Sequence, residues 1–167
     1  MTTDSLLEVR DLRKLFPAGR KGLFWGKDSF VHAVDGVSFD LQRGEVLALV
    51  GESGCGKSTL VLTLLGLEYP TSGSILFNGK DATFLKGEDL KALRRKIQMI
   101  FQDPYESLNP TQTIEEIVSE PLHVHGLASS PEQVKEKITQ AMEDAGLKPA
   151  EIYLQRYPHE LSGGQRQ

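Results

Sequence analysis

Gly51-Glu52-Ser53-Gly54-Cys55-Gly56-Lys57-Ser58-Thr59 is the stretch that most limits what this chain can fold into. Its G-x-x-x-x-G-K-S pattern is a phosphate-binding loop, which needs a strand before it and a helix after it. The sequence offers both. Glu45-Val46-Leu47-Ala48-Leu49-Val50 is a short apolar run that suits a buried strand. Lys57 to Gly66 suits a helix ended by its glycine. Glycines let the backbone wrap an anion, loop N–H groups point inward as donors, and the helix adds the positive end of its dipole. In such a loop Lys57 reaches the β- and γ-phosphates of a nucleotide and the Ser58 hydroxyl holds Mg²⁺. Thr59 is expected beside the α-phosphate.

The totals set wide bounds. The chain has 167 residues, about one domain, and 39% of them are apolar, enough for a core. A net charge of −4 gives no general attraction for nucleic acid. Cys55 is the single cysteine, so there is no disulfide framework and a reducing compartment fits. No apolar run approaches a membrane span. Met1 to Ser5 lacks the basic and apolar regions of a signal peptide. His123 and His125 stand two apart, so on a helix they point in different directions and make no metal pair.

Along the chain, Leu6 to Leu12 reads as an opening strand, and Ala18 to Ser29 as a glycine-rich basic loop holding Phe24 and Trp25. Val37, Phe39 and Leu41 alternate with polar residues, as in a half-buried strand. Ser74 to Phe77 is a further strand, and Asn78-Gly79 a hairpin turn. Gly87 to Arg95 reads as a short helix, and Ile97 to Phe101 as another apolar strand, ending at Gln102. Thr113 to Leu122 looks helical and broken at Pro121. Ser130-Pro131-Glu132-Gln133 is a helix start, after which Val134, Ile138, Ala141, Met142 and Ala145 recur at helical spacing up to Gly146. Strands dominate before Gln102 and helices after it. The expected division is therefore an N-terminal β-subdomain with phosphate-loop core over 1–102, and a helical subdomain over 103–167.

A second anion-binding turn closes the sequence. Leu161-Ser162-Gly163-Gly164-Gln165 places serine and two glycines at the start of a helix. With this segment, the loop at Gly51 to Ser58, and Gln102 at a strand end between them, the chain resembles the ABC-transporter ATPases. The three stretches are similar to that family's signature, Walker A and Q-loop motifs. His32 to Phe39, Gly51 to Ser58 and Gln98 to Pro110 further resemble the ATPase subunits of oligopeptide and dipeptide importers. The loop from Ala18 to Ser29 looks like the second of the two ATPases such importers carry. Thr111 stands where that group often has arginine.

The resemblance implies an α/β fold: a P-loop NTPase core with an antiparallel β-subdomain and a helical subdomain. It implies an ATPase that binds ATP and Mg²⁺ and drives uptake of peptides or a related small solute. Gly51, Glu52, Ser53, Gly54, Cys55, Gly56, Lys57, Ser58 and Thr59 would bind ATP, with Phe16 stacked on adenine, although Phe24, Trp25 or Phe30 could offer the same π-face. Ser58 and Gln102 would touch the metal. Lys57, Gln102 and Ser162 would serve catalysis. Leu161, Ser162, Gly163, Gly164 and Gln165 would meet the ATP of a second ATPase subunit, identical or homologous. Gln102 to Leu122 would meet membrane permease subunits, and a solute-binding protein would be an indirect partner. No nucleic-acid partner is expected, and the protein would sit in the cytoplasm on the inner face of the membrane. A soluble ABC protein in which ATP closes a clamp is the alternative.

By the same resemblance, the strands flanking the phosphate-loop strand, the Walker B aspartate, the water-orienting glutamate and the switch histidine come after Gln167. Residues 1–167 are thus expected to be an N-terminal part that binds nucleotide poorly and does not hydrolyse it.

Overall fold

The computed structural model describes residues 5–18, 29–101 and 107–167. They fall into two compact units, Met1–Gln98 and Met99–Gln167.

The first unit is built on a four-stranded antiparallel sheet. β1 (Ser5–Pro17) pairs with β2 (Phe30–Gln42) on one side and β3 (Ser72–Phe77) on the other, and β4 (Lys80–Asp81) pairs with β3. The strand order is β2-β1-β3-β4. β1 runs well past the expected Leu12 because it is bulged. Leu7 and Val9 point into the core, and then Leu12 does, so the inward parity changes between them. Asp11, in the bulge, has a φ of 42°. Gly73 of β3 has a φ of 91°, and a Cβ there would run into the Arg10 and Asp11 carbonyls and the Leu12 Cα. The bulge therefore requires glycine opposite it. Arg13 pairs with Asp11 and Asp35, and its hydrogen bond to Asp11 raises the guanidinium pKa above its ordinary value.

The hairpin turn forms as expected: Asn78 and Gly79 both have positive φ, 50° and 71°. α1 (Lys57–Leu64) and α2 (Gly87–Arg94) complete the unit. Their residues Leu60 and Leu93 join Val9, Leu12, Val34 and Ile75 in one core cluster. Gly66, with a φ of 62°, ends α1 as expected, and the Leu67 amide donates to the Leu62 carbonyl at 3.0 Å.

Two expected strands are absent. Glu45 to Val50 forms no strand, and Val46 and Val50 are 94% and 88% exposed. Ile97 to Phe101 forms none either: Ile97 leans on the core cluster, but Ile100 is 82% exposed. A strand without a neighbour leaves its amides and carbonyls unpaired. None of the described strands lies beside these two runs.

The second unit is helical. α3 (Ile114–Val124) starts at Thr113, which forms a reciprocal capping box with Glu116. Pro121 does not break it, contrary to expectation. Proline lacks only its own N–H, and its carbonyl still accepts from His125 at 3.0 Å, so the last turn closes. α4 (Pro131–Asp144) is capped by Ser130, whose hydroxyl accepts from the Gln133 amide at 3.3 Å. It buries Ile138 and Met142, as its spacing predicts. α5 (Glu151–Leu154), a 3-10 turn (Pro158–Glu160) and α6 (Gly163–Arg166) follow. Ile114, Ile138, Met142, Ala150, Leu154 and Leu161 form this unit's own core.

Candidate functional site

The loop Gly51 to Gly56 leads directly into α1 and is exposed almost throughout. Its last glycine has two reasons to be glycine. Gly56 has a φ of 96°, and a Cβ on it would overlap the Ala33 carbonyl of β2. The loop is thus pressed against the sheet by backbone alone.

α1 has no side-chain cap and no acidic residue in its first turn. Its first N–H groups therefore keep their donor capacity, with no carboxylate to repel an anion. Lys57 adds a full charge at the same place. Its ammonium turns back into the loop and donates to the carbonyls of Gly51 at 2.7 Å and Glu52 at 2.6 Å. The Cys55 sulfur lies 3.5 Å from it. Ser58 is exposed on the first turn, and Thr59 is half-buried. A cation, uncapped amides and an exposed hydroxyl in one turn form a donor set that fits phosphate together with a hard metal ion.

Phe16 lies near the end of β1, half-buried, paired with Val31 of β2. Ala33, two residues further along β2, carries the carbonyl against which Gly56 lies. One strand thus joins the candidate aromatic to the candidate phosphate loop. Lys14 is the residue that sequence reading missed. Its ammonium lies 4.8 Å from the Phe16 ring centre, 2.8 Å from Glu68 Oε2 and 2.8 Å from the Tyr69 carbonyl. The available signal was the spacing Lys14-x-Phe16, which puts both side chains on one face of a strand.

In the second unit, Leu161 is buried, whereas Ser162, Gly163 and Gly164 are exposed. Ser162 caps α6. Its hydroxyl accepts from the Gln165 amide at 3.4 Å, and Gln165 Oε1 accepts from the Ser162 amide at 2.9 Å. Gly163 and Gly164 have open space where a Cβ would stand. Gln102 lies outside the described residues, as do Phe24 and Trp25. Phe30, the remaining candidate aromatic, is 50% exposed and pairs with Pro17. Among the described residues no cluster of histidine, cysteine or carboxylate side chains could by itself hold a metal ion. No helix there is long and apolar enough to cross a membrane.

A nucleotide-type phosphate loop beside an antiparallel β-unit, followed by a helical unit, defines the class of ATP-binding cassettes. The family model described as "ABC transporter" matches residues 34–167, and the chain belongs to that family. It is 50% identical, over 98% of its length, to the oligopeptide transport ATP-binding protein AppF of Bacillus subtilis. It is 47% identical, again over 98% of its length, to the di/tripeptide transport ATP-binding protein DppF of Pseudomonas aeruginosa. The chain spans about half of each of these relatives, 49% in both cases. It covers 26% of the glutathione import ATP-binding protein GsiA of Escherichia coli O157:H7, to which it is 51% identical over 98% of its own length. Among solved structures it resembles an ATP-binding cassette captured as a dimer in a post-hydrolysis state with ADP and Pi. The TM-score is 0.78 at 27% identity, covering 96% of this chain and 65% of that one. The fold is therefore the expected one: an α/β ATP-binding cassette with an antiparallel β-subdomain and a helical subdomain.

Proposed function

We propose that the protein containing this chain is the ATP-binding and ATP-hydrolysing subunit of an importer for peptides or a related small solute. The observation that carries this reading is the Gly51 to Thr59 loop, which runs into an uncapped α1 with Lys57 turned back into it. In the reading, Lys57 exchanges the Gly51 and Glu52 carbonyls for the β- and γ-phosphates of ATP, and the loop amides cradle the chain of phosphates. Phe16 offers its ring to adenine. Ser58 holds Mg²⁺, with Gln102 as the further ligand; bound there, the metal neutralises charge on the phosphate oxygens. Leu161 to Gln165 presents the Gly163 and Gly164 amides to ATP held by a second ATPase subunit. Gln102 to Leu122 docks on membrane permease subunits, which keeps the protein on the inner face of the membrane. The names of its relatives favour peptide or glutathione import over a soluble clamp.

The test is phosphate release with MgATP by the full-length gene product, with and without its permease partners in vesicles. Turnover that depends on Lys57 and rises when the partners and a peptide-loaded binding protein are present is the expected result. Turnover indifferent to both would reject the importer assignment. Purified residues 1–167 should release no phosphate. Lys57-dependent release by that piece, comparable to the full-length protein, would show that the catalytic groups had been misassigned.

A further inference from the structure

We propose that Lys14 is a positioning residue for the nucleotide base, holding the Phe16 ring from one face so that adenine stacks on the other. The inference rests on the adenine-stacking role of Phe16 given above. Residues 14 and 16 share a face of β1, and the Lys14 ammonium stands over the Phe16 ring at 4.8 Å. The lysine is not free to swing away. Its side chain is only 13% exposed, and it pairs with Glu68 Oε2 and donates to the Tyr69 carbonyl, both at 2.8 Å. An ammonium has three donors, and two are fixed here while the charge faces the ring.

The two anchors give this hold its consequence. Glu68 and Tyr69 follow the end of α1, and the Glu68 amide donates into its last turn, to the Leu62 carbonyl at 3.2 Å. Lys14 therefore ties the ring to the far end of the phosphate-loop helix. At the near end, the ring's strand partner Val31 stands two residues from Ala33, against which Gly56 lies. The ring is thus referenced to both ends of α1. A base stacked on its open face is set at a fixed distance from phosphates held at the helix start.

If Lys14 only stabilised the fold, every ligand of the loop would feel its loss equally. If it positions the ring, only ligands with a base would. The experiment compares MgATP with magnesium tripolyphosphate, which has the phosphates without the base. Both affinities are measured by calorimetry on the full-length protein, alongside its melting temperature. Phe16→Ala and Lys14→Met should each weaken MgATP by about threefold to tenfold and leave tripolyphosphate unchanged. Lys14→Arg should restore MgATP, because a guanidinium can stand over a ring and still reach both acceptors. The double variant should be no weaker than Phe16→Ala alone. Lys14→Gln, which keeps a donor for the Tyr69 carbonyl without the charge, serves the same comparison if Lys14→Met fails to fold. Equal loss of both ligands in the Lys14 variants would overturn the inference. So would an unchanged MgATP affinity beside a weakened Phe16→Ala, with the stacking role itself intact. An unaffected Phe16→Ala would instead remove the stacking role, and this inference with it.

Discussion

The chain holds two anion turns of similar composition, and they are finished differently. At α1 the first turn is left uncapped, and a lysine is folded into the loop ahead of it. At α6 the helix caps itself, with Ser162 and Gln165 exchanging hydrogen bonds, and the cation of this helix, Arg166, stands in its last turn and donates to the His159 carbonyl rather than folding into the Ser162 turn. The first turn carries its own counter-charge and can hold an anion alone. The second has spent part of its donor capacity on itself and offers chiefly the exposed Gly163 and Gly164 amides. In the proposed reading, this difference separates a primary site from a surface that completes the site of a second subunit.

The strongest way to break that contrast is a pair of variants in the full-length protein. Lys57→Ala should weaken MgATP binding by roughly a hundredfold or more, since it removes a charge held against phosphate oxygens. Ser162→Arg should leave binding by the single subunit nearly unchanged and abolish hydrolysis. Equal loss of binding in the two, read by calorimetry, would put both turns on the same nucleotide.

A second pair tests the backbone. Gly56→Ala must accommodate both a left-handed φ and an overlap with the Ala33 carbonyl, so it should cost at least about 1–3 kcal/mol. Gly164→Ala meets open space within a helix and should be neutral, or stabilising by up to about 1 kcal/mol. Urea unfolding of both variants makes the comparison. A neutral Gly56→Ala would mean that the loop does not rest on β2 as described.

The cysteine sharpens the contrast at the primary turn. Cys55 is exposed, with its sulfur 3.5 Å from the Lys57 ammonium. MgATP should slow its labelling by a maleimide severalfold, and identical labelling with and without nucleotide would argue against ATP in this loop. The smallest effect belongs to α6. Gln165→Leu removes half of the capping box and should lower stability by about 1 kcal/mol or less, checked by the melting temperature. A large loss there would show the box holding more than its own helix.

Features decided within a few residues were legible in the sequence. Asn78-Gly79 turns the hairpin, Ser130 caps α4, and Gly66 and Gly146 end helices with positive φ. Those decided by distant partners were not. Nothing near Asp11 announces the bulge, because its reason lies across the sheet, where Gly73 admits the close approach. The apolar run at Glu45 to Val50 shows what that stretch requires. It does not supply a strand to lie beside it, and Val46 and Val50 remain open to solvent. Pro121 was misread because a proline inside a helix removes only its own ladder bond, and the His125 amide beyond it still closes on its carbonyl. At the candidate site, the loop, Phe16 and the Ser162 turn were all readable as motifs. Lys14 was not, since its partners Glu68 and Tyr69 come from another part of the chain.

The bulge in β1 also governs which changes of length this strand can accept. Leu7 and Val9 point inward before it, and Leu12 after it, so the extra residue sets which side chains face which way beyond it. Deleting the extra residue would leave plain alternation, with Leu7, Val9 and Leu12 still inward and Phe16 on its present face. Point substitutions between Leu7 and Phe16 would be felt locally. A single-codon deletion of Leu15, beyond the bulge, would instead turn the aromatic away from its lysine while leaving every residue of the phosphate loop untouched.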